Sequence, residues 1–153
     1  MELKCNAKGR EIMHLSEGFE SIAYYATKDE EERGLLSLGF GFTYYADGSP
    51  IKEGDTMTLE AAEALFSIII SKFEKKVARL VQVPVSSNQF SALVSLAYNI
   101  GCSKLSTSSL LHRLNAHDYK GAAEQFLVWD KQNKRVLPGL VKRRRLEREL
   151  FLS

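Results

Sequence analysis

The sequence predicts an α+β fold of two lobes: a small mixed α/β lobe, one long connecting helix and a larger all-helical lobe. Three observations predict it. Residues 22–52 hold aromatic, β-like segments broken by turn residues. From Thr58 to about Val81 apolar residues recur at helical spacing. Beyond Pro84 the remaining segments all read as helices. The boundaries are 16–57 for the β-containing lobe, 58–81 for the linking helix, and 1–15 plus 82–153 for the helical lobe. Two lobes joined this way leave a cleft between them, a common place for a ligand.

The elements follow in order. Residues 6–16 read as a short helix with Ala7, Ile12, Met13 and Leu15 on a shared face and Gly18 as the stop. Ala23-Tyr24-Tyr25, Leu35 to Phe42 and Tyr44-Tyr45 are β-like, and Asp47-Gly48-Ser49-Pro50 is a turn. The acidic run Asp29-Glu30-Glu31-Glu32 lies in a loop between strands. Thr58 caps the long helix, whose apolar positions include Leu65, Phe66, Ile69, Phe73 and Val77. Ser86 and Gln89 have capping-box spacing. The helix they open, Phe90 to Tyr98, is apolar nearly all round, the pattern of a helix buried mid-domain. Ser106 to Ser109 cap a short helix through Leu114, Asp118 starts another that ends at Trp129, and Gly139 precedes a last one, Leu140 to Phe151. Its basic face carries Lys142, Arg143, Arg144 and Arg145. Trp129, the only tryptophan, reads as core.

Composition excludes several classes. The 153 residues are 44% hydrophobic and 26% charged, ordinary for a globular chain with one core. A net charge of +2 suits a diffusing protein that meets anionic polymers rather than a nucleic-acid binder. Cys5 and Cys102 lack metal or redox spacing and read as free, buried thiols. His14, His112 and His117 form no ligand set with them, so neither metal nor cofactor is expected. No run approaches the roughly 18 apolar residues of a membrane span. The N-terminal residues lack a signal-peptide core, which points to synthesis in the cytoplasm.

Glu17 stands at the end of the first helix, where the macrodipole disfavours a carboxylate. That placement speaks for a chemical reason. With Ala23-Tyr24 after it, Glu17-Gly18 is similar to the catalytic-acid motif of the phage-type lysozymes, or endolysins, the glycoside hydrolase group that contains the T4 enzyme. Ser37-Leu-Gly-Phe-Gly-Phe-Thr43 resembles the family's Thr-Ile-Gly-Tyr-Gly-His-Thr turn. Gly54-Asp55-Thr-Met-Thr58 resembles its entry to the linking helix, and Asn88 to Val94 with Tyr98 to Gly101 its central buried helix. Ser108 to Leu111, Leu114-Asn115 and Gly139-Leu140-Val-Lys-Arg143-Arg144-Arg-Leu-Glu147 complete the order over nearly the whole chain.

The resemblance implies a lysozyme-like fold. It implies hydrolysis of the β-1,4 bond between N-acetylmuramic acid and N-acetylglucosamine in peptidoglycan, for lysis of a bacterial host. It also implies a monomer that reaches the wall through a holin-type pore. The chemistry needs a carboxylic acid to protonate the leaving oxygen and a carboxylate across the sugar. Glu17 matches the acid, which a poorly solvated niche beside Phe19 would keep protonated.

The second carboxylate is the departure. The family's aspartate position falls on Ala26, and the segment from Tyr24 to Ser37 is longer than the pattern by about five residues. Glu31 or Asp29 fills the role, or nothing does. Ser37 replaces the threonine whose hydroxyl holds the attacking water, and Phe42 replaces a supporting histidine. Gly39 and Gly41 line the cleft floor. Gln89 and Asn99 suit sugar hydroxyls and N-acetyl groups, though capping and helix-end bonding explain them equally. Arg143 or Arg144 matches the arginine that pairs with the acid, or both belong to a solvated basic face. Two other functions stay open: a wall-binding protein that hydrolyses poorly, and a weaker nucleic-acid reading on Lys142 to Arg145.

Overall fold

A computed structural model describes residues 2–153. They form two compact units, Glu17–Ile69 and a second built from the residues up to Ser16 with Ile70–Ser153. Helix α1, Ala7–Glu17, ends as the first begins, and α3, Leu59–Leu80, runs through the other boundary. Mixed α and β content makes this an α+β fold.

In the unit Glu17–Ile69, β1 (Glu20–Tyr24) pairs antiparallel with β2 (Ser37–Gly39). Glu20 faces Gly39 and Tyr24 faces Ser37, so the longer β1 carries a bulge between them. Leu36, Leu38 and Ile51 form a buried cluster beneath Ala23, Tyr45 and Met57. A second focus is aromatic: the Phe40 ring meets Phe19, Phe42 and Phe66 at centroid separations of 5.7, 6.1 and 6.0 Å. The Tyr45 hydroxyl donates to Asp55 at 2.5 Å, which also accepts from the Lys52 amide. This bond raises the phenol to about 12, so the Gly54-Asp55 motif fastens a turn here.

The acidic run is not a loop. Lys28–Glu32 is a short helix, α2, whose cap is Thr27: its hydroxyl accepts from the Glu30 amide at 3.0 Å. Three acidic residues in the first turn favour the macrodipole there.

The other unit centres on α4, Ser87–Ile100, where every residue from Phe90 to Ala97 is buried. Ser86 and Gln89 close both halves of the capping box. Around α4 lie α5 (Cys102–Ser106), α6 (Ser109–Asn115), α7 (Tyr119–Gln125) and α8 (Pro138–Leu152). Leu93→Ala or Leu96→Ala is expected to lower stability by about 2–5 kcal/mol, because each empties a fully buried volume. Denaturant unfolding measures it; a loss below about 1 kcal/mol would move the centre of this core elsewhere.

Three expectations need correction here. The helix from Asp118 tightens to a 3₁₀ turn at Phe126–Val128 and stops, leaving half-buried Trp129 as its cap. The lobe expected to be all-helical then holds a hairpin, β3 (Lys131–Gln132) with β4 (Arg135–Val136). Its turn residues Asn133 and Lys134 have φ of 51° and 66°, a two-residue hairpin geometry that sequence signals usually mark with glycine. In α1, Leu15 is 71% exposed, and the buried positions are Gly9, Ile12 and Met13. Gly9 belongs with them because a Cβ there would come within 2.7 Å of both Cys5 Sγ and Ser91 Cβ. Of the two thiols, Cys5 is buried and pushed up to about 11 by that burial, while Cys102 is only half-buried.

Candidate active site

The site is built on the bulged strand pair of the Glu17–Ile69 unit. Glu17, half-buried, ends α1. Its carboxylate rests on Gly41: a Cβ added there would stand 2.6 Å from Glu17 Oε2, and φ is +77°. Only glycine meets both conditions. Gly39 is constrained differently, by the Phe42 ring 2.8 Å and Met57 sulfur 3.0 Å from a Cβ position, at φ +64°. The glycine turn thus seats the acid on one side and closes the aromatic core on the other. Phe42, where the family has histidine, is buried, and its backbone exchanges both hydrogen bonds with Leu38 at 2.9 Å.

Gly41→Ala is expected to displace the Glu17 carboxylate and reduce activity about 10²-fold, the usual penalty for an ångström of misplacement. Turbidity clearing measured beside circular dichroism checks it. Native-like spectra with unchanged activity would mean that this seat does not matter.

The helix α2 delivers the other carboxylate. Glu30 Oε2 accepts the Ser37 hydroxyl at 3.1 Å and the Ala26 amide at 3.1 Å. Ser37 is 2% exposed and Glu30 half-buried, so the serine lies under the carboxylate and fixes its orientation. Ser37 is also the cross-strand partner of Tyr24. Burial pushes the Tyr24 phenol above its ordinary range, and the charges of Glu20, Glu30 and Glu17 push the same way. Three carboxylates therefore converge electrostatically on one phenol at the strand pair.

Asp29 pairs with Arg33 at 3.2 Å on the outside of α2, and Glu31 is exposed on the same helix. Neither is the residue on Ser37. Sequence reasoning passed over Glu30 and Glu20. The signal for Glu30 was present, since Thr27-Lys-Asp-Glu30 has capping-box spacing.

The remaining candidates lie in the helical unit. Gln89 Oε1 accepts from the Ser86 amide at 2.8 Å in the capping box. Arg143 and Arg144 do not form a solvated face with exposed Lys142 and Arg145; both are buried against Glu147. Arg144 Nε lies 2.8 Å from Glu147 Oε1, and Arg143 Nε 3.3 Å from Oε2. The Ser95 hydroxyl donates to Glu147 Oε2 at 2.5 Å, and Arg144 Nη2 donates to Asn99 Oδ1 at 2.9 Å. Burial pushes the Glu147 carboxyl up, while the two guanidiniums and the Ser95 hydroxyl pull it down. Two of the four cations offered for nucleic acid are thus spent inside the fold.

Residues 15–147 match the family described as phage lysozyme. The chain is 39% identical over 145 residues to an endolysin of Bacillus phage B103, covering 95% of this chain but 52% of that protein, so it spans about half that relative's length. It is 40% identical over 123 residues to an endolysin of Salmonella phage P22, covering 80% of this chain and 84% of that one. The solved endolysin of Escherichia coli O157:H7 phage FAHEc1 superposes with a TM-score of 0.89 at 32% identity, over 100% of this chain and 96% of its own. An acid seated on a glycine, a second carboxylate oriented by a buried hydroxyl and these matches agree: the chain belongs to the phage lysozyme family, glycoside hydrolases of the bacterial cell wall.

Proposed function

We propose that the chain is a muramidase that cuts the N-acetylmuramic acid to N-acetylglucosamine bond of peptidoglycan, with Glu17 as general acid and Glu30 as second carboxylate. The observation that carries it is the hydrogen bond from Ser37 to Glu30 in the unit where Gly41 seats Glu17. The Ser37 hydroxyl spends its proton on Oε2, leaving Oε1 to face a ligand.

Glu17 gives its proton to the glycosidic oxygen as the bond breaks. Positive charge builds on the ring, and the Glu30 carboxylate steadies it and accepts a proton from the incoming water, whose hydroxide completes the sugar. Glu30 takes the place proposed above for Glu31 or Asp29, and Ser37 acts as a positioning residue on it. With a carboxylate supplied by α2, the alteration at Ala26 no longer argues for a wall-binding protein without catalysis. Gly39 and Gly41 shape the sugar-facing turn. Gln89 and Asn99 remain proposed amide contacts, and Arg143 and Arg144 a proposed electrostatic brace for the acid.

The test is digestion of purified sacculi by the parent protein. New reducing ends on muramic acid support the reading; reducing ends on glucosamine, or none, overturn it. The enzyme is further proposed to be a monomer, made in the host cytoplasm and released to the wall by a holin-type pore. Among the described residues no helix is long and apolar enough to cross a membrane, which suits passage with a partner's help. Release from cells that lack any pore would contradict it.

A further inference from the structure

Charge is divided unequally between the two units. Glu17–Ile69 holds three basic residues against eleven acidic ones, a net of −8. The helical unit holds eighteen against eight, a net of +10. The near-neutral whole conceals a cationic body, and such asymmetry points to an anionic partner.

The cations are concentrated on α3. Lys72, Lys75, Lys76 and Arg79 are all exposed and recur at the three- and four-residue spacing of one helix face. The acidic residue among them, Glu74, points inward and accepts the Cys5 amide at 2.6 Å. Among the described residues none of the four has an ion-pair partner, although most other exposed arginines have one. Like charges at this spacing repel and weaken a helix. The macrodipole rewards only Arg79, in the last turn. The fold itself therefore gives no return for Lys72, Lys75 and Lys76. Arg79 also opens onto a polar pocket of about 440 Å³ lined by Ser106, Thr107, His112 and Asn115.

We propose that this face of α3 is an anchor for the substrate polymer, binding the carboxylates of its peptide stems while the glycan is cut elsewhere. The proposal rests on the muramidase reading for its ligand. Repeated carboxylates along a polymer match repeated cations along a helix, and long lysines reach them without a fixed register. Single-stranded nucleic acid fits less well because it wants stacking platforms. The exposed aromatic side chains, Tyr25 and Tyr44, belong to the other unit.

The test is co-sedimentation with purified sacculi in the Glu17→Gln background, so that binding is read without hydrolysis. The variant neutralises Lys72, Lys75, Lys76 and Arg79 to Gln. A control neutralises Lys120, Lys131, Lys134 and Arg135, removing the same charge elsewhere on the unit. The stripe variant should bind about tenfold more weakly at low salt, and the difference should vanish near 1 M salt, where screening is complete within about 3 Å. In the otherwise unaltered enzyme, neutralising the stripe should raise KM and leave kcat unchanged. Amidating the stem carboxylates should bring the parent down to the variant's binding.

Equal losses in stripe and control would reduce the effect to net charge and overturn the proposal, as would no loss in either. Parent binding that survives amidation, or duplex DNA that binds the stripe more tightly than sacculi do, would also overturn it. Sacculus binding that depends on the stripe in a parent that cuts nothing would sink the muramidase reading and leave the anchor standing.

Discussion

Purified Glu17→Gln is expected to fold normally and to clear outer-membrane-stripped Gram-negative cells about 10²–10⁴-fold more slowly than the parent, the range a positioned general acid contributes. The substitution is nearly isosteric, so the seat on Gly41 stays filled while the transferable proton disappears. Stability provides an independent check. Glu17 lies at the C-terminal end of α1, where removing a negative charge relieves an unfavourable macrodipole contact of about 0.3–1 kcal/mol. The variant should therefore melt no lower than the parent. A dead enzyme of equal or greater stability is the pattern of a catalytic acid. Loss of activity together with stability would recast Glu17 as a structural residue, and retained activity would remove it from the mechanism.

The second large effect concerns α2. Glu30→Gln is expected to reduce kcat about 10²–10⁴-fold, whereas Asp29→Asn and Glu31→Gln should each stay within about twofold of the parent. The three substitutions remove the same charge from neighbouring positions of one exposed helix, so surface potential alone cannot separate them. The difference is contact: Glu30 accepts from Ser37 and Ala26, Asp29 pairs with Arg33, and Glu31 is exposed. Ser37→Ala should weaken activity less than Glu30→Gln because it only loosens the carboxylate, and Ser37→Thr should restore it. Kinetics on solubilised peptidoglycan fragments decide the matter. Three equal losses would mean a diffuse acidic field; a loss at Glu31 alone would return the role to that position.

The sequence made some of this legible and hid the rest for identifiable reasons. Helix α4 could be read almost completely, because a helix buried on all sides needs apolar residues on all sides and Ser86 with Gln89 marks its start. Glu17 stood out because a carboxylate at a helix C-terminus has no local justification. Helix α2 was missed because four consecutive charges look like a solvated loop, and a five-residue helix has too few turns to show a period. Its cap residue was the usable clue. The hairpin at 131–136 was invisible because Asn133 and Lys134 enter the left-handed region without glycine. The burial of Arg143 and Arg144 was foreshadowed by Glu147, four and three residues on, yet only the packed structure shows that the three share an interior. Leu15 was misplaced since hydropathy at the end of a short helix does not reveal which side is covered.

The fastening of the chain's first turn has a consequence for the order of assembly. The Cys5 amide donates to Glu74 at 2.6 Å, the Asn6 amide to Ser91 at 2.8 Å, and the Asn6 side chain to Asn88 at 2.9 Å. Each partner lies roughly seventy to eighty-five positions later in the chain. On a ribosome adding about 5–20 residues per second, those partners emerge several seconds after the residues that need them. The Glu17–Ile69 segment is contiguous and can complete its own contacts meanwhile. The first helix must wait, so a nascent chain passes through a stage in which Ile12 and Met13 stand uncovered, and that interval is when the host's chaperones and proteases have access to them.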